Sequence, residues 1–360
     1  MRFGLFCLMS VHDNPGGVGG VIRDAERLVQ MADEIGFETA WFAEHHFSNY
    51  SISVSPVMMG ARFSGLTKQI RMGTGVIVLP LYHPLRVAQE IALLDQMTDG
   101  RIAIGIGSGY QPYEFIRYGQ DVSRKTDIFL EYWSIVEQAL LQGEVEYKGE
   151  FISVPKTVIT ARPRNGMPDI YLTAADPKVL KRFDKFRPVS FATAGAAGTP
   201  KLYGLYDNLC NSWKAAQMDS PMAFAPQQYI HITDSHAEAL KVAEYARRVA
   251  RGVVLLRDPD LEFNGSHIVS KPVPGEPSLE ETTKNIICGD VHYVAERIVA
   301  EIRRLDPVHY STFFNFGDMP IAMASKSLER FGKEVIPLVE KEVGPLDRFG
   351  RQSELADVAR

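Results

Sequence analysis

The stretch from Ile70 to Tyr110 constrains the fold more than any other part of the chain. Ile70-Arg-Met-Gly-Thr-Gly-Val-Ile-Val-Leu79 is apolar and β-rich and breaks at Pro80, the pattern of a strand inside a parallel sheet. Val87, Ile91, Leu94 and Met97 then recur at helical spacing, with Gln89, Glu90 and Asp95 between them, until Asp99-Gly100 stops the helix. Arg101-Ile-Ala-Ile-Gly-Ile-Gly-Ser-Gly109 begins a second strand. A strand, crossover helix and strand of this length make a parallel pair whose carboxyl ends open on one side. Glycines interrupt both strands, at Gly73 and Gly75 and at Gly105, Gly107 and Gly109. Each costs roughly 0.5–1 kcal/mol relative to alanine, which either tight packing in a small barrel or close approach of a ligand to the backbone offsets; the sequence leaves both open.

The same alternation runs through the rest of the chain. Met1 to Met9 reads as the first strand, Val21 to Gly36 as an amphipathic helix, Glu38 to Ala43 as the second strand and Pro56 to Leu66 as the next helix. Beyond Gly109, Pro112 to Tyr118 is a short loop helix, Arg124 to Leu141 a long helix, and Glu144 to Val154 a small hairpin. Ile170 to Ala174, Pro188 to Ala194, Tyr229 to Thr233 and His309 to Phe314 supply strands five to eight, each followed by a helix. Ile286 to Asp290 leads into a further helix at Val291 to Leu305. Leu256 to Lys284 breaks the rhythm with four prolines and two glycines and reads as a lid loop. Eight strand and helix units imply an α/β fold of the (β/α)8 TIM barrel type, a single domain over 1–345 with loop insertions at its carboxyl face and a tail at 346–360.

Composition narrows the function. With 360 residues and 45% hydrophobic composition the chain has ample core, and no apolar run is long enough for a membrane span. The amino-terminal apolar segment is too short for a signal peptide, so a cytoplasmic protein is expected. Cys7, Cys210 and Cys288 make neither a disulfide framework nor a zinc site. A net charge of −5 without a basic cluster gives no electrostatic case for nucleic acid or a membrane surface, which leaves a small-molecule partner.

Barrels of this type present chemistry at the carboxyl ends of their strands. There stand Glu44, His45 and His46 after strand two, His83 after strand three and Tyr110 after strand four. Histidine suits proton transfer near neutral pH. Adjacent His45 and His46 in an extended segment point to different sides, which argues against both gripping one ion, and no tight spacing brings in His83, Asp95 or His231, so no metal site is expected. Tyr110, Tyr113, Phe115, Met58, Met59, Phe313 and Phe314 are candidates for an apolar pocket or for plain core.

At these residues the sequence resembles the bacterial luciferase-like, flavin-dependent monooxygenases. The match runs through Phe3-Gly-Leu-Phe6, Trp41-Phe-Ala-Glu-His-His-Phe47, Gly73-Thr-Gly-Val-Ile-Val-Leu-Pro80, His83-Pro84, Leu94-Asp-Gln-Met97, Gly100-Arg101 and Phe115-Ile-Arg-Tyr-Gly119, and more weakly to Gly289–Arg297. The resemblance implies reduced FMN at the barrel mouth, reaction of O2 at the flavin C4a, and oxygenation of a small, apolar organic substrate. It further implies a separate flavin reductase as donor and a homodimer packed through helices beside strands one and four. It casts His45 as the catalytic histidine, with Glu44 and His83 beside it. It casts Thr74, Gly75 and Val76 as a bulge, often with a non-proline cis peptide, under the flavin ring. The family's flavin site further covers Gly107, Ser108, Arg124, Ala175 and Asp176, with the phosphate positions falling on Ser108, Arg124 and Asp176. Two departures stand out. Light-emitting members carry cysteine and arginine where this chain has Gly107 and Ser108, so light emission is not expected. Asp176 puts a carboxylate where the phosphate would meet helix amides. Relatives that use the deazaflavin F420, or bind flavin without turnover, share the pattern.

Overall fold

A computed structural model of the protein describes residues 1–258 and 261–350. Eight parallel strands close into a barrel: β1 (Arg2–Cys7), β2 (Thr39–Phe42), β3 (Arg71–Val78), β4 (Ile102–Gly107), β5 (Ile170–Leu172), β6 (Val189–Thr193), β7 (Ala223–Ile232) and β8 (His309–Phe313). Neighbours in the chain are neighbours in the sheet, and pairing of Gln227–Tyr229 with Ser311–Phe313 and of Arg2–Leu5 with His309–Thr312 closes the ring. Helices cover its outside, among them Gly17–Ile35, Pro56–Ser64, Pro84–Met97, Lys125–Gln142, His236–Leu255 and Val291–Leu305. The fold is a (β/α)8 barrel, as the alternation implied. Among the described residues no helix is long and apolar enough to cross a membrane.

A barrel of eight strands must fill its own centre, and here aromatic rings do so. Trp41 lies 4.6 Å from Tyr171 and from Phe191, and Phe6 stacks on Phe313 at 4.4 Å. These rings take the space that the glycines leave. A Cβ on Gly73 would stand 2.4 Å from the Trp41 indole, one on Gly75 2.7 Å from Phe6, and one on Gly105 2.0 Å from the Thr74 carbonyl oxygen. Strand packing therefore accounts for the glycines, and ligand approach is not needed to explain them. Thr74 spends its hydroxyl hydrogen on the Gly105 carbonyl at 2.7 Å, and the β3–β4 register shifts between Thr74 and Ile77. The peptide Gly75–Val76 within this bulge is cis.

Several elements differ from expectation. The first helix starts at Gly17 rather than Val21, and β7 starts at Ala223 rather than Tyr229. The strand Ile287–Gly289 was not expected; it pairs with Ile230–Ile232. The segment from Leu256 to Lys284 holds a hairpin, Phe263–Asn264 with His267–Ile268, and the helix Leu279–Asn285, opened by a Ser278–Glu281 capping box. Glu276 clamps this segment to the preceding helix through two bonds from Arg251 (2.6 and 2.7 Å). Pro259, Asp260 and 351–360, most of the expected tail, lie outside the described residues.

Because the atom facing Gly105 is a backbone oxygen, no side chain can move aside for an added methyl. Gly105→Ala is expected to destabilise the fold by about 1–3 kcal/mol, the range for overpacking. A urea denaturation midpoint unchanged from wild type would contradict this packing.

Candidate active site

The end of β2 and the short helix Pro112–Arg117 after β4 bring together two carboxylates and two imidazoles. Glu114 Oε1 lies 3.1 Å from His45 Nδ1 and also accepts the His46 backbone N–H at 2.9 Å. A carboxylate only accepts, so the His45 proton sits on Nδ1 and Nε2 is left free. Glu44 Oε1 lies 3.1 Å from His46 Nε2, and its Oε2 accepts the Val78 amide at 3.2 Å. Tyr118 closes the second pair, its hydroxyl 3.0 Å from His46 Nδ1. The two histidines thus face different carboxylates. His46 and Glu44 are buried, whereas the His45 side chain retains 13% exposure. Burial pushes the Glu44 carboxyl up from its ordinary value, partly offset by His46 and the Val78 amide.

Aromatic residues wall His45. Its ring meets Tyr50 edge-on at 4.7 Å and Tyr110 at 6.1 Å. Gln111, fully buried, donates from Nε2 to the Tyr110 hydroxyl at 3.0 Å, but its Oε1 has no hydrogen-bond partner. Tyr50 also borders a cavity of about 310 Å³ lined by His12, Asn49, Arg247, Arg248 and Arg251. Each of these arginines faces a carboxylate: Arg248 faces Asp13 at 3.1 Å, and Arg247 and Arg251 share Glu276.

The other expected site residues are dispersed. His83 is exposed at the cap of helix Pro84–Met97 with no side-chain capping bond; the neighbouring Tyr82 instead stands beside Glu44 and donates to the Val54 carbonyl at 3.3 Å. Thr74, Gly75 and Val76 form the β3 bulge, and Gly107 ends β4 against Thr173. Ser108 is half-buried. Arg124 is bound to Glu150 at 2.9 Å and faces Asp127 at 3.6 Å. Ala175 and Asp176 are exposed, and Asp176 caps helix Pro177–Phe183 by accepting the Lys178 amide at 2.8 Å. Of the pocket candidates, Tyr110 and Tyr113 stand near the mouth, Phe115, Phe313 and Phe314 are core, and Met58 is 64% exposed on a helix. Glu114, Gln111 and Tyr50 escaped the sequence reading; the one signal for Glu114 was its place next to the Phe115–Gly119 motif. Among the described residues no group of three or more histidines, cysteines or carboxylates could hold a metal ion.

The sequence profile of the luciferase-like monooxygenases matches residues 1–305. The chain belongs to this family. It is 31% identical over 351 residues to the uncharacterized protein y4vJ of Sinorhizobium fredii, covering 96% of this chain and 99% of that one. It is 27% identical over 349 residues to the oxygenase component of the flavin-dependent trigonelline monooxygenase of Acinetobacter baylyi, covering 94% and 95%. Among solved structures, monooxygenase RslO1 from Streptomyces bottropensis superposes with a TM-score of 0.79 at 20% identity, covering 94% of this chain and 99% of that one. The oxygenating constituent of 3,6-diketocamphane monooxygenase from Pseudomonas putida, in complex with FMN, gives 0.74 at 19%, covering 94% and 98%. An F420-dependent secondary alcohol dehydrogenase gives 0.70 at 18%, with the same coverage. As a luciferase-like monooxygenase, the protein is an oxidoreductase.

Two measurements check this geometry. Glu114→Ala strips acceptors from two N–H groups, so it should cost about 2 kcal/mol or more in urea unfolding, while Glu114→Gln, which keeps an acceptor, should cost less. For Glu44 the folded state holds the proton more tightly than the unfolded chain. Its contribution to stability is therefore full below the ordinary carboxylate pKa and is lost as pH rises through the raised value. Wild type should lose more stability than Glu44→Gln between about pH 4 and pH 8; equal losses would show that burial does not raise this carboxyl.

Proposed function

We propose that the protein is the cytoplasmic oxygenase component of a two-component monooxygenase, which takes reduced FMN from a separate flavin reductase and inserts one atom of O2 into a small organic substrate. The observation that carries this reading is the His45–Glu114 pair: a partly exposed imidazole at the barrel mouth, oriented through Nδ1 by a buried carboxylate. A protein that only stored flavin would need no such proton carrier. The buried, unpaired Gln111 Oε1 fits a ligand edge that donates N–H, as the flavin pyrimidine does.

When bound, reduced flavin supplies the two electrons that oxygen activation requires. The β3 bulge at Thr74, Gly75 and Val76, with Gly107 beside it, would support the ring, and Gln111 would accept from it. His45 holds and moves the proton at Nε2, Glu114 fixes the ring that carries it, and the Glu44–His46 pair stands behind as a rigid support. The phosphate is less well served. Ser108 and Arg124 are available only if Arg124 leaves Glu150, and Asp176 already occupies its helix start with a carboxylate. Weak binding of FMN follows from this, and an F420-dependent dehydrogenase of the same fold supports the second reading, F420 in place of FMN. The described part of Leu256–Lys284 borders the mouth, with Phe263 5.0 Å from Tyr113 and the Ile268 amide on Asn49, which suits a water-excluding lid. A homodimer packed through the helices beside β1 and β4 belongs to this reading too.

Rapid mixing of the protein and reduced FMN with O2 tests the proposal. His45→Ala should slow oxygen transfer about a hundredfold or more while flavin affinity stays within about twofold. A wild-type rate in that variant removes His45 from the reaction, and failure of reduced FMN to bind wild type turns the reading to F420.

A further inference from the structure

Lys125 opens the helix Lys125–Gln142 half-buried, and its Nζ donates one hydrogen to the Gly109 carbonyl at 2.8 Å just past the end of β4. Arg257 follows the helix His236–Leu255, with its guanidinium carbon 4.8 Å from the centre of the Tyr110 ring. The two cations feel each other. The Lys125 ammonium is held below its ordinary pKa first by burial and then by the charge of Arg257, and no carboxylate acts on it. Neither side chain makes an ion pair with a described carboxylate. Their neighbours differ: Arg124 faces Glu150, Arg248 faces Asp13, and Arg247 and Arg251 share Glu276. Holding two like charges together, one of them partly desolvated, is unfavourable unless an anion joins them. Lys125 keeps two N–H donors and the Arg257 guanidinium five for that anion.

We infer that Lys125 and Arg257 form an oxyanion-binding site at the rim of the barrel mouth, and that it takes a carboxylate on the substrate. Tyr110 argues for the substrate as the source, because its ring touches Arg257 and also lies 6.1 Å from the His45 ring. An anion held between the two cations lies one aromatic ring away from the imidazole. The rest of the molecule then runs along Tyr110 and Tyr50 toward His45. The substrate class is thereby an amphipathic, aromatic or unsaturated carboxylate rather than a purely apolar compound. That the ligand is the substrate rests on the reading of His45 given above; that the site binds an oxyanion does not.

Calorimetric titration of benzoate and of inorganic phosphate into wild type, Arg257→Gln and Arg257→Glu tests this without turnover. Fluorescence titration of FMN and riboflavin into the same proteins and Arg124→Ala identifies the source. Arg257 is exposed, so both of its variants should fold, which circular dichroism checks. The expected result is that benzoate binds wild type, binds Arg257→Gln about tenfold or more weakly, and does not bind Arg257→Glu, with the FMN-to-riboflavin affinity ratio unchanged by either. If instead Arg257→Gln erases the preference for FMN over riboflavin and Arg124→Ala does not, the flavin phosphate is the occupant and the substrate assignment is overturned. If Arg257→Glu binds both anions and both flavins as wild type does, or if wild type binds neither anion and the flavin ratio never moves, there is no oxyanion site.

Discussion

A closed ring of eight strands leaves a hole that side chains must fill, and every other feature of this molecule is built around how they do it. Trp41 is the largest filler, and the strand beside it carries Gly73 because no Cβ fits against the indole. The Trp41 ring nitrogen donates to His309 Nε2 at 2.9 Å, and His309 Nδ1 reaches Glu38 at 2.8 Å, so the filler is also pinned from below. Gly75 yields to Phe6 in the next layer and Gly105 to the Thr74 carbonyl. The pattern of glycines is the complement of the pattern of rings.

The site inherits this rigidity. Glu44 leaves β2 directly after Trp41, Phe42 and Ala43, and its second oxygen takes the Val78 amide at the end of β3. Glu114 then joins the helix after β4 to the same segment by accepting from both histidines' positions, the His45 ring and the His46 amide. Three consecutive strand ends are thereby tied by two carboxylates, each buried and each held by hydrogen bonds, which for Glu44 offset only part of its desolvation. Only His45 is left partly open to the mouth.

The barrel was legible because its strands are mostly β-branched or aromatic runs and its helices keep one apolar face. Where those signals fade, the reading faded with them. The first half of β7, Ala223-Phe-Ala-Pro-Gln-Gln228, carries no β-branched residue, and Ile287–Gly289 is a strand only because the end of β7 offers it a partner. His83 looked equivalent to the other histidines by its place after strand three, yet exposure at a helix cap was not visible in sequence. Glu114 was invisible for the opposite reason: its worth lies in bonds to residues 68 and 69 positions away. The fate of Arg124 was also hidden, because its partner Glu150 arrives on the distant hairpin turn.

Tyr50 has a consequence for how the molecule communicates with itself. One side of the ring borders the arginine-lined cavity, another meets the His45 imidazole, and Gly252 makes room for it so closely that a Cβ there would stand 2.8 Å from the ring. It is a shared wall between two compartments. Any molecule whose affinity for the cavity depends on where that wall stands must, by reciprocity, feel what happens at the imidazole by the same free energy. The cavity and the mouth thus share one wall, the buried ring of Tyr50.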